Sequence, residues 1–301
     1  MLKSFAEMEK AILDKGVIRK IALAGAHDSD ALGSVVNARR QGLAQPVLIG
    51  HTKKIEELLA QMGEKSADYE IIPEESEAAI CALACRMVVD GRADIPMKGK
   101  VQTGTFMRAV LDKSLGFVPE KGLLSQATVF EYPVDGRLML LTDCAINISP
   151  DYQAKVKIIN NAVRLARSLG CETPKVAVLA PVEIVNPDMP ATIDAAMLSK
   201  AAQRGQIPNC IIDGPLAFDN AISLEAARHK GIDSPVSGRA DILLVPDLGA
   251  GNILTKALTF LANYKTAGTV GGTARPLVMS SRTDSAQDKY HSILCAVYQV
   301  L

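Results

Sequence analysis

The sequence predicts an α/β fold. Three observations carry that expectation. Short apolar runs alternate with longer amphipathic stretches along the chain. The runs are continuously apolar, as strands buried on both faces are. The core is aliphatic, because 48% of residues are apolar, only 4% are aromatic and Trp is absent. A βα rhythm of this kind implies a mostly parallel sheet covered on both faces.

In chain order, Val17–Gly25 predicts a strand leading into a turn, and Asp28–Gln41 a helix closed by Gly42. Pro46–Gly50 is the next strand, and Thr52 is the expected cap of a helix over Lys53–Met62. Tyr69–Ile72 reads as a short strand, Ser76–Asp90 as a helix and Ile95–Gly99 as a strand. A second cycle begins near Leu123. It comprises a strand over Arg137–Asp143, a long helix over Asp151–Leu169 and a strand over Lys175–Ala180. A helix over Thr192–Arg204, a strand and turn over Asn209–Pro215, a strand over Ala240–Asp247 and a helix over Asn252–Leu261 follow. The length of 301 residues suits two domains without demanding them, and no repeat or low-complexity linker divides the chain.

The segment Met279–Asp288 is the most informative. It follows Arg275-Pro276-Leu277-Val278, which reads as a strand, and it opens a C-terminal helix. Its hydroxyls, one fixed positive charge and helix-start N–H groups suit an anion such as phosphate. Asp284 and Asp288 are four apart and are expected on one helix face behind the turn.

Lys+Arg and Asp+Glu both number 33, which disfavours nucleic-acid binding by bulk charge. No apolar run is long enough for a membrane span, and the amphipathic start lacks the apolar block of a signal peptide. A cytoplasmic protein is expected. The cysteines at 81, 85, 144, 171, 210 and 295 form no Cys-x-x-Cys pair and read as reduced core thiols. The histidines at 27, 51, 229 and 291 show no metal spacing, and Ala24-Gly25-Ala26-His27 lacks the glycine spacing of a dinucleotide fingerprint.

Several segments together resemble the phosphate acetyl/butyryl transferase family. They are Pro96–Gly104, Thr142–Asn147, Asp213–Ala221, Ser234–Asp241, Pro246–Asn252 and the turn at Ser281-Arg282, in the family's order and nearly end to end. Val182–Thr192 and Met97-Lys98-Gly99 look more like the butyryl branch. The resemblance implies two three-layer α/β domains with an interdomain cleft, similar to isocitrate/isopropylmalate dehydrogenase. The first domain would span 1–127 plus 271–301, and the second, over 128–270, would carry dimerisation. The implied assembly is a homodimer or higher homo-oligomer. The implied reaction is acyl-CoA plus phosphate giving acyl phosphate plus CoA, reversibly, with no metal, no tightly bound cofactor and CoA as a substrate.

By motif position, Ser281 and Arg282 match the family's active-site Ser-Arg pair. Asp288 matches the acetyl branch's general-base position, whereas Asp284 is the acid that recurs in the butyryl branch. Either could instead be a helix N-terminal carboxylate favoured by the dipole. Lys98, Thr103 and Arg108 form a second anion-binding group at a strand end, or a solvated basic turn. Asn147 and Cys144 follow the strand ending at Asp143, in a loop that lines the family's cleft. Cys144 has no local His, and direct transfer needs no acyl-cysteine. Asp213, Gly214 and Pro215 would shape the cleft wall. Gly251-Asn252 would start a helix, with Asn252 meeting a ligand or capping that helix.

Three rivals stand beside butyryl transfer. Phosphate acetyltransferase is the same chemistry with a smaller pocket. A metal- and NAD-dependent decarboxylating dehydrogenase would need an acidic metal cluster, and Asp241 and Asp247 do not resemble one. A non-catalytic sensor of acyl phosphate or CoA is disfavoured by the intact Ser-Arg-Asp set.

Overall fold

The computed structural model describes residues 2–301. The chain runs through α1 (Phe5–Lys15), β1 (Arg19–Ala24), α2 (Ser29–Arg40), β2 (Ala44–Gly50), α3 (Thr52–Gln61), β3 (Glu70–Pro73), α4 (Glu77–Val89), β4 (Ile95–Lys98) and α5 (Thr103–Val110). It continues through β5 (Ser125–Glu131), β6 (Leu138–Thr142), α6 (Tyr152–Ser168), β7 (Lys175–Leu179), α7 (Pro190–Gln203), β8 (Ile211–Leu216), α8 (Phe218–Ile222) and α9 (Leu224–His229). It closes with β9 (Ile242–Leu244), α10 (Leu248–Lys256), β10 (Thr266–Gly271) and α11 (Ala286–Tyr298). The chain separates into a unit formed by Phe5–Gly122 with Ala267–Leu301 and a unit built on Leu123–Thr266.

The first unit carries a four-stranded sheet in the order β3-β2-β1-β4, parallel throughout. The central strand β1 buries Ile21, Ala22, Leu23 and Ala24 completely, the continuous apolar run expected of a strand covered on both sides. α2 starts where the Asp28 carboxylate accepts the Ala31 amide at 2.8 Å. α11 packs on α1 and α2 and buries Ile293, Leu294, Cys295 and Val297. Each large aliphatic side chain so buried contributes about 1.5–3 kcal/mol.

One contact orders the end of this sheet. The expected strand over Arg275–Val278 contracts to a single parallel bridge between Val278 and Met97. Val278 donates to Pro96 O at 3.0 Å and accepts from Lys98 N at 2.9 Å. The residues that follow Val278 therefore leave beside the carboxyl end of β4. Gly99 is required at that point, because a Cβ there would lie 2.5 Å from Gly25 O.

Within the second unit the sheet runs β5-β6-β9-β7-β8. β5 pairs antiparallel with β6, while the β6–β9, β9–β7 and β7–β8 pairs are parallel. After β6, the Asp143 carboxylate gathers a loop by accepting the amides of Gln126, Ala145, Ile146 and Asn147. α10 closes onto that loop through Gly251, where a Cβ would sit 2.4 Å from Asp143 O.

Three local expectations are corrected. Thr52 does not cap α3: it is the first helical residue, and His51 precedes it without a side-chain cap bond. Gly251-Asn252 does not start a helix, because Asp247 caps α10 earlier by accepting the Ala250 amide at 2.9 Å. Asp284 and Asp288 do not share a helix face, because α11 begins at Ala286 and leaves Asp284 in the preceding turn. The sequence reading also passed over β5 and β10.

Gly251→Ala is expected to push α10 off the 143–147 loop and to cost about 1–3 kcal/mol in urea denaturation. A loss of only a few tenths would show that the close approach carries no weight.

Candidate active site

The Val278 bridge brings two distant sequence motifs together. A cavity of about 380 Å³ in the first unit is walled by Lys98-Gly99-Lys100-Val101-Gln102 and by Ser280-Ser281-Arg282, with His27, Asp28, Glu77 and Lys289. It sits at the carboxyl ends of β1 and β4, where ligands of open parallel sheets bind.

The wall is cationic. Lys98 is only 3% exposed, and its ammonium makes a weak contact with the Gly99 carbonyl at 3.4 Å. Burial lowers its pKa, and the neighbouring charges of Arg282 and Lys289 lower it further. A buried ammonium among other cations is costly without an anion to meet it. His27 contributes a ring rather than a charge. Burial first, then His51, Lys100 and Lys54, hold its pKa below the ordinary 6.5. Its ring lies edge-on to His51 at 4.4 Å between centroids.

The turn over 281–285 is tied to itself. Asp284 Oδ2 accepts the Ser281 amide at 2.7 Å. The Ser281 and Thr283 hydroxyls lie 3.0 Å apart. Asp288 forms a capping box with Ser285, accepting the Ser285 hydroxyl at 2.6 Å while Ser285 Oγ accepts the Asp288 amide at 3.1 Å. Neither carboxylate is part of the cavity wall.

Of the residues singled out by sequence, Lys98, Ser281 and Arg282 meet in this cavity. Thr103 and Arg108 do not line it: Thr103 opens α5, and Arg108 is exposed and donates to Gly104 O at 3.2 Å. The others lie in the second unit. Asn147 donates to Asp143 Oδ2 at 2.5 Å and to Leu124 O at 2.8 Å, and lines a shallow concavity with Ile146, Ile148 and Asp151. Asp213, Gly214 and Pro215 lie inside β8, where Ser199 donates to Gly214 O at 3.1 Å. Asn252 is mid-helix in α10 and donates to Cys144 O at 3.4 Å. Cys144 is buried, and burial pushes its thiol up to about 12, far from a nucleophilic thiolate at neutral pH. Among the described residues, no three His, Cys, Asp or Glu side chains are grouped to hold a metal ion. No described helix is long and apolar enough to cross a membrane.

Sequence reasoning missed His27, Asp28, Glu77, Lys100, Gln102, Ser280 and Lys289 as wall residues. For His27 and Asp28 a signal was present, since both follow a strand of a parallel sheet. For Lys289 the signal was a cation in the first turn of a helix, where the dipole disfavours it.

The anion-suited cavity and the α/β frame define a ligand-binding enzyme scaffold, and comparison with known proteins narrows it. The profile of the phosphate acetyl/butaryl transferase family matches residues 55–297, and the chain belongs to that family. Phosphate butyryltransferase of Clostridium acetobutylicum is 42% identical over 98% of this chain and 98% of that protein. Phosphate acetyltransferase of Thermotoga maritima is 43% identical over 97% of this chain and 99% of that protein. The crystal structure of a branched-chain phosphotransacylase from Enterococcus faecalis V583 superposes with a TM-score of 0.82 at 31% identity, covering 94% of this chain and 99% of that one. The chain is therefore an acyltransferase with the α/β fold of the phosphotransacylases.

Lys98→Met is expected to stabilise the ligand-free protein at neutral pH by about 1 kcal/mol or more, because it removes a buried uncompensated charge. The sign follows from linkage. The folded ammonium pKa is lowered, so the unfolded chain binds more protons between that value and the ordinary 10.5, and native stability rises with pH across this window. Lys98→Met should abolish that rise. Urea denaturation at neutral and alkaline pH checks both effects, and a variant less stable than the native protein would contradict them.

Proposed function

We propose that the protein catalyses reversible transfer of a short-chain acyl group, butyryl favoured, from acyl-CoA to inorganic phosphate, giving acyl phosphate and CoA. The observation that carries this reading is the meeting of buried Lys98 with Ser281 and Arg282 in one cationic cavity of a chain from this family. In this reading a phosphate oxygen attacks the thioester carbonyl, the C–S bond breaks, and the CoA thiolate leaves and takes up a proton. Arg282 holds phosphate through paired charge-assisted hydrogen bonds, each worth about 1.5–3 kcal/mol. Lys98 neutralises the phosphate, and Ser281 donates to the oxyanion that develops on the carbonyl.

In the reverse direction the thiol must lose its proton to a base. Asp288 and Asp284 are the proposed acceptors, as the family resemblance implies. One is held in the capping box and the other on the Ser281 amide, so the role asks one of these bonds to open as substrate enters. Transfer is direct. The buried, high-pKa Cys144 supports a route without an acyl-cysteine.

The proposal extends to a homodimer or higher homo-oligomer in the cytoplasm, on an isocitrate/isopropylmalate dehydrogenase-type scaffold. The exposed Ile253, Phe260 and Leu261 on and after α10 are apolar surface that such an assembly would cover. Phosphate acetyltransferase is the second reading, because relatives of both names share nearly the same identity with the chain. One methylene changes preference by only about 1–3 kcal/mol, so relative rates on acetyl-CoA and butyryl-CoA decide between them.

Arg282→Ala should raise the phosphate KM and lower kcat together, by roughly tenfold or more in kcat/KM. Unchanged phosphate kinetics would remove Arg282 from the reaction. Asp288→Asn and Asp284→Asn, assayed in the CoA-consuming direction at neutral pH, identify the base as the residue whose loss slows acyl phosphate turnover more. If neither slows it, the proton goes elsewhere. Incubation with labelled butyryl-CoA alone should leave the protein unlabelled, and a covalent acyl adduct would contradict direct transfer.

A further inference from the structure

Two buried polar groups of the cavity wall lie outside the set that the sequence singles out. They are Ser280, 6% exposed, and Lys289, 4% exposed. Ser280 Oγ has no hydrogen-bond partner among the described residues. Leaving a buried hydroxyl unpaired is destabilising unless a ligand satisfies it. Lys289 lies in the first turn of α11, the dipole end that disfavours a cation. Its ammonium donates to the Asp284 carbonyl oxygen, a neutral acceptor that leaves the charge unbalanced.

The rest of the wall does not balance it either. The salt bridges among the described residues include none of Lys98, Lys100, Arg282 and Lys289. The wall's carboxylates, Asp28 and Glu77, accept the backbone amides of Ala31 and Gln102. With His27 neutral, four cations against two carboxylates leave a surplus of two positive charges.

We infer that Ser280 and Lys289 are phosphate ligands, one a neutral donor and the other a second buried ammonium near Lys98, and that the cavity takes phosphate as its dianion. This rests on the phosphate reading of the cavity given above. Each feature that is costly in the empty cavity becomes favourable when a dianion fills it. The orphan hydroxyl gains an acceptor. The like-charged ammonium and guanidinium groups gain a common counter-charge.

The test titrates inorganic phosphate, sulfate and nitrate into the full chain without CoA, follows thermal stabilisation, and separately measures KM for phosphate and for acyl-CoA. The native protein should be stabilised by the two dianion-forming salts and much less by nitrate. Lys289→Met should weaken phosphate binding and raise its KM roughly tenfold or more, and Ser280→Ala several-fold. The acyl-CoA KM should stay within about twofold for both, and Lys289→Arg should recover most of the loss. The inference is overturned if both variants bind phosphate as the native protein does, or if nitrate protects equally. A Lys289→Met chain that melts lower but keeps the native phosphate KM would also overturn it, by assigning Lys289 to pinning the 281–285 turn. A native protein that turns over no acyl phosphate and shows no response to phosphate would instead remove the underlying functional reading, and this extension with it.

Discussion

The parallel bridge between Val278 and β4 is the constraint on which the site depends. Two backbone hydrogen bonds, from Val278 N to Pro96 O and from Lys98 N to Val278 O, fix where residues 279–285 leave the sheet. They set Ser280-Ser281-Arg282 against Lys98-Gly99-Lys100 although the two segments are far apart in sequence. Gly99 makes the arrangement possible, because β1's trailing carbonyls crowd the space that any side chain would occupy. The aliphatic packing of β1 and α11 behind the bridge holds both segments in place. Backbone geometry therefore positions the charged groups, and the charged groups do not have to find one another.

The electrostatics of the cavity oppose folding and favour binding. Lys98 and Lys289 are buried, and Lys98 feels the positive charges of Arg282 and Lys289. Asp28 offsets part of the positive field at Lys98, but the wall's cations outnumber its carboxylates, both of which also hold backbone amides. Such an arrangement gives up stability in the ligand-free state, the trade expected where a binding site is preorganised for charge. A site assembled from exposed lysines would cost less to fold and would discriminate less between anions.

Much of this was legible in the sequence, for identifiable reasons. The βα rhythm announced itself through continuously apolar strands and through helical stretches expected to open at Asp28, Ser76 and Asp151, residues that the structure shows to be N-caps. Ser281 and Arg282 were visible because hydroxyls and an arginine sit at a helix start behind an apolar run. Lys98 was visible because a lysine ends a strand. What stayed hidden depends on pairing between distant segments. Nothing local says that Val278 joins β4, so Ser280 and Lys289 could not be aimed at Lys98 from sequence alone. The placement of Asp284 and Asp288 on one helix face failed because the Ser285 capping box starts α11 later than the spacing suggested. Asn252 was misread for a similar reason, since Asp247 claimed the cap first.

The proposed phosphate seat is compatible with the chain's similarity, at 42% and 43% identity, to proteins named for two different acyl groups. A phosphate seat can serve either acyl chain, whereas chain length is set by apolar contacts worth only a small free-energy difference. The most direct measurement is a crystal structure of the protein soaked with inorganic phosphate. A single phosphate is expected in the cavity of the first unit, within hydrogen-bonding distance of Lys98 Nζ, the Arg282 guanidinium and Ser281 Oγ. Phosphate bound elsewhere, with that cavity holding only water, would contradict it.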